Sequence, residues 1–573
     1  MPTIGQASLI DILRWRAKNQ PDRLAYRFLS DGEYDEVVMT YKELDRRARS
    51  IGALLQSSAK QGDRALLLFP PGLDFVAAYL GCLYAKVIAV PAYPPHPARV
   101  DRRLPIILGI AADAKPTVVL LTLSLFYGMK SQNAISAELG NMKLLVTDTD
   151  VIQGWTEKWQ PPEIDRNDIA FLQYTSGSTT SPKGVMISHT NLLNNLDDIE
   201  KSFGQTSKSE TIIWLPPYHD MGLIGGILQP LYTGNPVTLI PHLMFLQRPI
   251  RWLQAISRFK ATTSGGPNFA YDLCVRKIKP EQREQLDLSS WEVAFTGAEP
   301  IYHKTLDQFA EYFAPCGFRR ETFLPCYGLA EATLMVTGGP KSRSPVMKNL
   351  VKSGLEENRA IISPERSKDT RAVISCGQNM GRQKIMIVDV ASLSPCLPDQ
   401  IGEIWVSGPS IASGYWNKPL ETVSTFEARL PGSGEGPFLR TGDLGFKHEG
   451  ELYITGRLKN LIIIDGRNHY PHDIERTVEI SHPAIIPAGC AVFSIGNSGV
   501  ERVIIIAEIQ HKLVTDTAEV LKAIRTTVIE HHDLIVYEIK LTHPGSIPRT
   551  TSGKIKHFLC KKNYISRSLK EIA

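Results

Sequence analysis

The sequence predicts an α/β fold, on three observations. Apolar strand-like runs alternate with helical stretches through the first half, closely spaced strands with turn glycines follow Arg371, and a compact βα unit begins near Leu461. A chain of 573 residues is too long for one hydrophobic core, so two or more domains are expected.

The elements follow in order. Thr40-Tyr41-Lys42-Glu43 is a capping box, in which threonine and glutamate satisfy each other's exposed amides, and it opens a helix carrying Leu44, Ile51 and Leu55. RALLLF (64–69), a PPG turn, the helical DFVAAYLGCLYA and VIAVPAY (87–93) form a strand–helix–strand unit. Short apolar runs continue at TVVLL (117–121), KLLVTD (143–148), IAFLQYT (169–175), TIIWL (211–215), PVTLI (236–240) and VAFTG (293–297). Helical stretches separate many of them, which points to a large, mostly parallel α/β body. After Arg371, KIMIVD, GEIWVSG and GELYITG predict a small β-rich subdomain. Beyond Leu461, a helix near PHDIERTVEI, strands CAVFSI and RVIIIAEIQ, and a helix from Thr517 to His531 suffice for a small domain.

Composition narrows the class. Hydrophobic content of 43% with 21% charged residues is that of an ordinary globular enzyme. The net charge of +5 is small for this length, and no basic run tracks a phosphate backbone, so nucleic acid is not an expected partner. Eight cysteines show neither a CxxC pair nor histidines at zinc spacing, which predicts buried or idle thiols in a reducing compartment. The opening MPTIGQASLIDILRWRAKNQ lacks a basic start followed by an apolar core. No stretch reaches the ~18 uninterrupted apolar residues that a membrane span requires. No membrane span and a cytoplasmic location are therefore expected.

Residues 174–184, YTSGSTTSPKG, crowd amides and hydroxyls beside one cation, a composition suited to phosphate. It is not a Walker loop: the glycine before Lys183 is Pro182, and Gly184 replaces the hydroxyl that would meet magnesium. The loop follows a strand and precedes the helical SHTNLLNNLDDI. There, Gly177 lets the backbone close on an anion, and Thr175, Ser176, Ser178 and Thr179 can donate to phosphate oxygens. Taken alone, such a tract could equally be a linker.

The loop does not stand alone. WLPPYHDMGL (214–223), FTGAEP (295–300), CYGLAEAT (326–333), GEIWVSGPSIASGYW (402–416), RTGDLG (440–445), GRLKNLIIIDGRNHYPHDIE (456–475) and PRTTSGK (548–554) follow in order across nearly the whole chain. Together they resemble the motifs of the adenylate-forming superfamily: acyl-CoA synthetases, luciferases and peptide-synthetase adenylation domains. The resemblance implies an N-terminal adenylation domain over 1–457, made of two α/β subdomains and the small β-rich one. It further implies a hinge at 458–460, with Lys459 or Asn460 as pivot, and a mobile α+β C-terminal domain over 461–573. ATP is the implied substrate and magnesium the implied metal. A carboxylate attacks the α-phosphorus in line, leaving an acyl-adenylate and pyrophosphate. The nucleophile is already an anion, so the reaction needs cations and positioning rather than a general base.

Individual roles follow from the resemblance. Lys554 is the leading catalytic candidate, a compact charge on a long stem able to reach carboxylate and α-phosphate together. Glu331 is the implied magnesium ligand with Thr175 assisting, since a hard cation takes oxygen ligands. Asp443 would accept both ribose hydroxyls, and Arg457 would support ribose or phosphate from the hinge side. Tyr327, beside Gly328, offers a face to adenine, with Gly297, Ala298 and Glu299 as the opposite wall. His219 resembles the histidine that lies against the acyl carboxylate, and Met221, Gly222, Gly226 and Phe269 would line a groove for the alkyl chain. Lys183 is assigned to the pyrophosphate end.

The wording of WLPPYHDMGLIGGIL, NFAYDLC, CYGLAEATL and DGRNHYPHDIE looks like fatty acyl-AMP ligases rather than fatty acyl-CoA ligases. That branch carries an insertion where this chain has the polar, charged stretch 338–371. It activates medium- or long-chain fatty acids for the phosphopantetheine arm of an acyl carrier protein, or of a carrier domain in a polyketide or nonribosomal peptide synthase. In that branch the insertion restrains the C-terminal domain and disfavours CoA. The plain alternative for 338–371 is a tolerated surface loop, because long loops cost little. The alternative for the activity is a fatty acyl-CoA synthetase using free CoA.

Overall fold

The computed structural model describes residues 8–95, 104–131, 137–140, 142–175, 182–464, 466–497, 500–513, 516–550, 553–569 and 571–572. The strand–helix alternation resolves into two large sheets. In one, Lys143–Val146, Val118–Leu121, Arg64–Leu68, Ile88–Ala92 and Ile169–Thr175 lie side by side and parallel, and Lys183–Ser188 closes the edge antiparallel. Its strands are continuous apolar runs because both faces are covered. Ala65 and Leu67 point into the main core, whereas Leu66 and Leu68 point into a second cluster with Ile107, Ile110 and Leu125.

The other sheet runs Gln378–Asn379, Met335–Gly338, Phe323–Gly328, Val293–Thr296, Thr263–Gly265, Thr211–Ile213, Val237–Leu239, Leu24–Leu29, Glu36–Thr40. Its middle is parallel and its two ends are antiparallel. The helix Leu73–Tyr84 is buried at every position but Asp74, and it joins residues of both sheets in one core. The predicted capping box forms: Thr40 Oγ1 accepts from the Glu43 amide at 3.3 Å, and a Glu43 carboxylate oxygen accepts from the Thr40 amide at 2.8 Å.

The small β-rich part is a four-stranded antiparallel sheet of Lys384–Val388, Gly402–Ser407, Leu439–His448 and Glu451–Arg457. The C-terminal part has its own core. Strands Ile485–Asn497, Val500–Ile509 and Val536–Thr542 pack through Val492, Ile505 and Leu541 on the helices Pro471–Ser481 and Thr517–His532. The architecture is thus a large N-terminal body with several sheets and a smaller C-terminal domain.

The helix read at SHTNLLNNLDDI forms as His189–Phe203, capped by Ser188 and Asn191. Between it and the phosphate-type loop lies a strand that the sequence reading did not name, Lys183–Ser188, paired with Ile169–Thr175. The β-branched residues in KGVMIS favour the pleated edge position, so Lys183 stands at a hairpin and not at a helix N-terminus.

The stretch 338–371, for which a surface loop was the alternative, is folded. Met347–Val351 pairs with Ile362–Ser363 and with Thr370–Ile374. Leu350, Leu355, Ala360 and Val373 share a core with Leu444, Phe446 and Tyr453 of the four-stranded sheet and Tyr470 of the C-terminal part. Arg371 ties the pieces together. It pairs with Asp473 at 3.1 Å, donates to the Thr455 carbonyl at 3.0 Å, lies 2.6 Å from His472 Nε2 and stacks over the Tyr470 ring. Asn468 adds a 3.0 Å bond to Asn358, and Lys352 reaches the His531 carbonyl.

Removing Arg371 leaves Asp473 half-buried without its cation, a loss of about 1–3 kcal/mol. Arg371→Ala is expected to raise hydrogen exchange in Pro471–Ser481 while sparing Leu73–Tyr84. Unchanged exchange in Pro471–Ser481 would refute the tether.

Candidate active site

The hairpin that carries the phosphate-type loop brings Thr175 opposite Lys183, as cross-strand partners. Ser176, Gly177, Ser178 and Thr179 lie outside the described residues. The helix behind the hairpin, His189–Phe203, holds the surrounding segments through two asparagines. Asn191 donates to the carbonyls of Pro409 and Ile411 at 2.9 and 2.7 Å. Asn195 bonds Met335 in both directions, at 2.8 and 3.1 Å. Buried side-chain amides that bond backbone groups of distant segments act as struts.

Met221–Leu228 forms a π-helix, a wide turn common at functional sites. Asp220 caps it, accepting from the Met221 amide at 2.7 Å, and pairs with His219 Nδ1 at 2.6 Å. Burial disfavours the Asp220 carboxylate, but His219 and Lys554 outweigh it and hold its pKa below the usual carboxylate value.

The glycines here pack closely against their neighbours. A Cβ on Gly222 would stand 2.1 Å from the Pro216 carbonyl oxygen, and one on Gly226 would stand 2.7 Å from Ile213 Cγ2. Gly226 lets the wide turn lie close on the strand Thr211–Ile213, and Gly222 lets it lie against the Leu215–Pro216 backbone that follows. Met221 is buried, and Phe269 meets Trp214 edge-on at 6.1 Å.

On the sheet ends, Gly297 faces the Cys326 carbonyl oxygen at 2.7 Å from its would-be Cβ, and Ala298 adopts a positive φ of 68°. A non-glycine residue in that region is strained and is found at functional turns. A Cβ on Gly328 would fall 1.7 Å from the Leu334 carbonyl oxygen, so only glycine fits. Glu299 turns away from this wall. Its carboxylate accepts from the Phe269 amide at 2.6 Å, and burial pushes its pKa up to about 7.

Tyr327 is buried at 9% exposure and donates to Asp443 Oδ2 at 2.8 Å, while Arg457 Nε donates to Asp443 Oδ1 at 2.7 Å. Both Asp443 oxygens are engaged, yet each carboxylate oxygen has a second lone pair for another donor. Asp443 in turn raises the Arg457 pKa. Glu331 Oε1 accepts from the Tyr415 hydroxyl at 2.8 Å, and its carbonyl from the Ala412 amide at 2.9 Å. Lys183 lies over the Tyr415 ring at 4.7 Å. Lys459 is half-buried beside them, its pKa lowered by burial and then by Arg457 and Lys183.

The C-terminal domain supplies Lys554. Its amide donates to Thr550 Oγ1 at 3.0 Å and its carbonyl accepts from the Thr550 amide at 2.7 Å, which holds the turn that carries it. Burial lowers its pKa, opposed by the carboxylates of Asp220 and Glu299. The structure therefore brings Lys554, Asp220, Glu299, Asp443 and Arg457 into one electrostatic neighbourhood. Sequence reasoning missed Asp220 and Tyr415, although the dipeptide His219-Asp220 and the motif ending GYW displayed both.

Comparison with known proteins gives the family. Two family descriptions match: AMP-binding enzyme over residues 13–416, and Disco-interacting protein 2-like, AMP domain, over 459–573. The medium-chain-fatty-acid–[acyl-carrier-protein] ligase JamA of Moorena producens is 46% identical over 568 residues, covering 98% of this chain and 96% of its own. A Mycobacterium bovis chain provisionally named a fatty-acid–CoA ligase, fadD21, is 37% identical over 584 residues, covering 98% of each. The solved fatty acyl-adenylate ligase of L. pneumophila, in complex with acyl adenylate and pyrophosphate, is 42% identical with a TM-score of 0.76. That match covers 98% of this chain and 97% of the other. Fold and site thus define an enzyme of the adenylate-forming class. Within it, the chain belongs to the AMP-binding enzyme family, in its fatty acyl-AMP ligase branch.

A lysine that acts as a cation works only while protonated. Burial weakens the Lys554 hold on its proton, so kcat/KM, which reports the free enzyme, should fall on the alkaline side below the ordinary lysine range. Lys554→Arg, permanently charged, should lose that limb, and Lys554→Ala should slow pyrophosphate release at least about 100-fold. An unchanged rate in Lys554→Ala would remove the residue from catalysis.

Proposed function

We propose that this chain activates a medium- or long-chain fatty acid as its acyl-adenylate, releasing pyrophosphate, and delivers the acyl group to the phosphopantetheine thiol of an acyl carrier protein. The observation that carries this reading is the position of Lys554. A residue from the far end of the chain lies among Asp220, Glu299, Asp443 and Arg457, as a carboxylate-to-phosphate coupling requires.

In this reading the fatty carboxylate meets His219, whose ring is oriented by Asp220, and Lys554 neutralises charge at the attacking carboxylate and the α-phosphate. Asp443 accepts the ribose hydroxyls with its remaining lone pairs, Tyr327 and the Gly297–Ala298 turn enclose adenine, and Arg457 supports the sugar or phosphate. Lys183 serves pyrophosphate, together with Ser176, Gly177, Ser178 and Thr179. Two carboxylates near the incoming anion would repel it. The raised pKa of Glu299 and the cations facing Asp220 reduce that cost.

Among the described residues no group of three His, Cys, Asp or Glu side chains could hold a metal. That suits magnesium, which is held by one or two carboxylates and completes its shell with phosphate and water. Glu331, assisted by Thr175, would hold it, and the ion would neutralise phosphate charge. The rest of the machinery is the chain's own: Lys554 and Arg457 supply positive charge, and the hairpin shields the polyphosphate.

We divide the chain into an adenylation domain over 1–457, a hinge at 458–460 and a mobile C-terminal domain over 461–573. Lys459, between Arg457 and the domain boundary, is the natural pivot. No helix among the described residues is long and apolar enough to cross a membrane. We place the enzyme in the cytoplasm, where its eight unpaired thiols would stay reduced.

The second reading, a fatty acyl-CoA synthetase, is favoured by the fadD21 relative. The folded 338–371 segment and its Arg371 tether favour the carrier protein, because they oppose rotation of the C-terminal domain. The test is a product assay with ATP, magnesium and dodecanoate, adding CoA or a phosphopantetheinylated carrier. Acyl-adenylate that ignores CoA but loads the carrier is the expected result, and efficient acyl-CoA formation would overturn the choice. Deleting 341–370 is expected to admit CoA. A deletion variant that still adenylates but makes no acyl-CoA would show that the barrier lies elsewhere.

A further inference from the structure

We propose that Tyr415 is a positioning residue for adenylation, one that orients Glu331 toward the metal and seats Lys183 beside the polyphosphate loop. The inference rests on the roles of Glu331 and Lys183 given above, but not on the choice between carrier protein and CoA.

Tyr415 lies in the GYW end of the segment 402–416, which runs against the hairpin. The Met186 amide donates to the Gly414 carbonyl at 2.9 Å and the Trp416 amide to the Gly184 carbonyl at 2.8 Å, bracketing Tyr415 in an antiparallel bridge with Val185. Its own amide donates to Thr422 Oγ1 at 3.0 Å, and the Phe426 ring packs edge-on at 5.1 Å. The side chain is 6% exposed. The ring is therefore pinned by the hairpin on one side and by the helix Pro419–Phe426 on the other.

From that fixed ring, two contacts reach the chemistry. The hydroxyl donates to Glu331 Oε1 at 2.8 Å, with the Thr425 hydroxyl beside it. Glu331 Oε2 accepts no hydrogen bond among the described residues, which leaves that oxygen for a hard cation. A donor on one carboxylate oxygen removes rotamer freedom from the other, as partners behind metal ligands do. The ring face carries the Lys183 ammonium at 4.7 Å, within cation–π range. Lys183 begins the strand that follows the phosphate-type loop. One tyrosine thus couples the carboxylate expected to hold magnesium with the cation expected to hold pyrophosphate. Packing alone would require only the ring, and phenylalanine would serve; the hydroxyl is the part that packing does not explain.

The test uses the full chain and separates hydroxyl from ring. Tyr415→Phe keeps the ring and creates no cavity, and its melting temperature checks folding. It is expected to weaken Mn2+ binding, read by electron paramagnetic resonance with a non-hydrolysable ATP analogue, by about 10-fold. The Mg2+ concentration for half-maximal ATP–pyrophosphate exchange should rise similarly, with the KM for dodecanoate near that of the wild type. In a Glu331→Gln background the same change should add little, because coupled sites are non-additive. Tyr415→Leu, which also removes the ring, should raise the KM for pyrophosphate beyond the value in Tyr415→Phe. Wild-type Mn2+ affinity in Tyr415→Phe, or an equal loss with and without Glu331→Gln, would overturn the proposal. Absence of exchange in the wild-type chain would instead overturn the activity proposed in the preceding subsection.

Discussion

Asp443 is the point at which the site closes. Its carboxylate is buried and takes one donor from Tyr327, at the end of the large sheet, and one from Arg457, the last residue of the four-stranded sheet. A buried carboxylate with one partner would be costly; with two it is satisfied, and the loss of either leaves a charge or a dipole uncompensated. Arg457 also closes the strand Glu451–Arg457, so this bond joins the end of the four-stranded sheet to Tyr327 through one carboxylate.

Charge is distributed unevenly around the site, and the unevenness is chemically useful. Carboxylates gather near Lys554, at Asp220 and Glu299, and cations gather near Glu331, at Lys183, Arg457 and Lys459. A buried lysine tends to shed its proton; the acidic neighbours of Lys554 oppose that tendency without reversing it. In the proposed reaction a triphosphate would need positive charge along its length, and preorganised cations are the means by which such charge is met. Much of the neighbouring framework is backbone: the Gly328 and Gly222 contacts, the positive φ of Ala298 and the asparagine struts of His189–Phe203 are fixed before any ligand arrives.

The folded 338–371 segment shows how a polar, charged stretch becomes architecture. Its strands carry too few apolar residues to stand alone, and they gain stability by sharing Leu350 and Val373 with the four-stranded sheet and Tyr470. Its polar surface, unremarkable as a composition, holds the cation that bridges to Asp473. Arg371 links this segment to the helix Pro471–Ser481 of the C-terminal part.

Local pattern alone determined the α/β class, the eight apolar strands of the first half, the Thr40–Glu43 cap and the helix at Thr517, because period and capping chemistry are properties of adjacent residues. The order of seven motifs was equally legible, and with it Lys554, Glu331, Asp443 and Tyr327 as candidates. Tertiary structure decided what depends on residues distant in the chain. It made Lys183–Ser188 a strand by supplying Ile169–Thr175 as a partner, set Gly222 and Gly226 in close contacts, and aimed Glu299 at Phe269. It also placed Tyr415 on Glu331, which stand 84 positions apart. No spacing rule reaches across such a separation, since side-chain direction at a sheet end is set by packing and not by sequence neighbours.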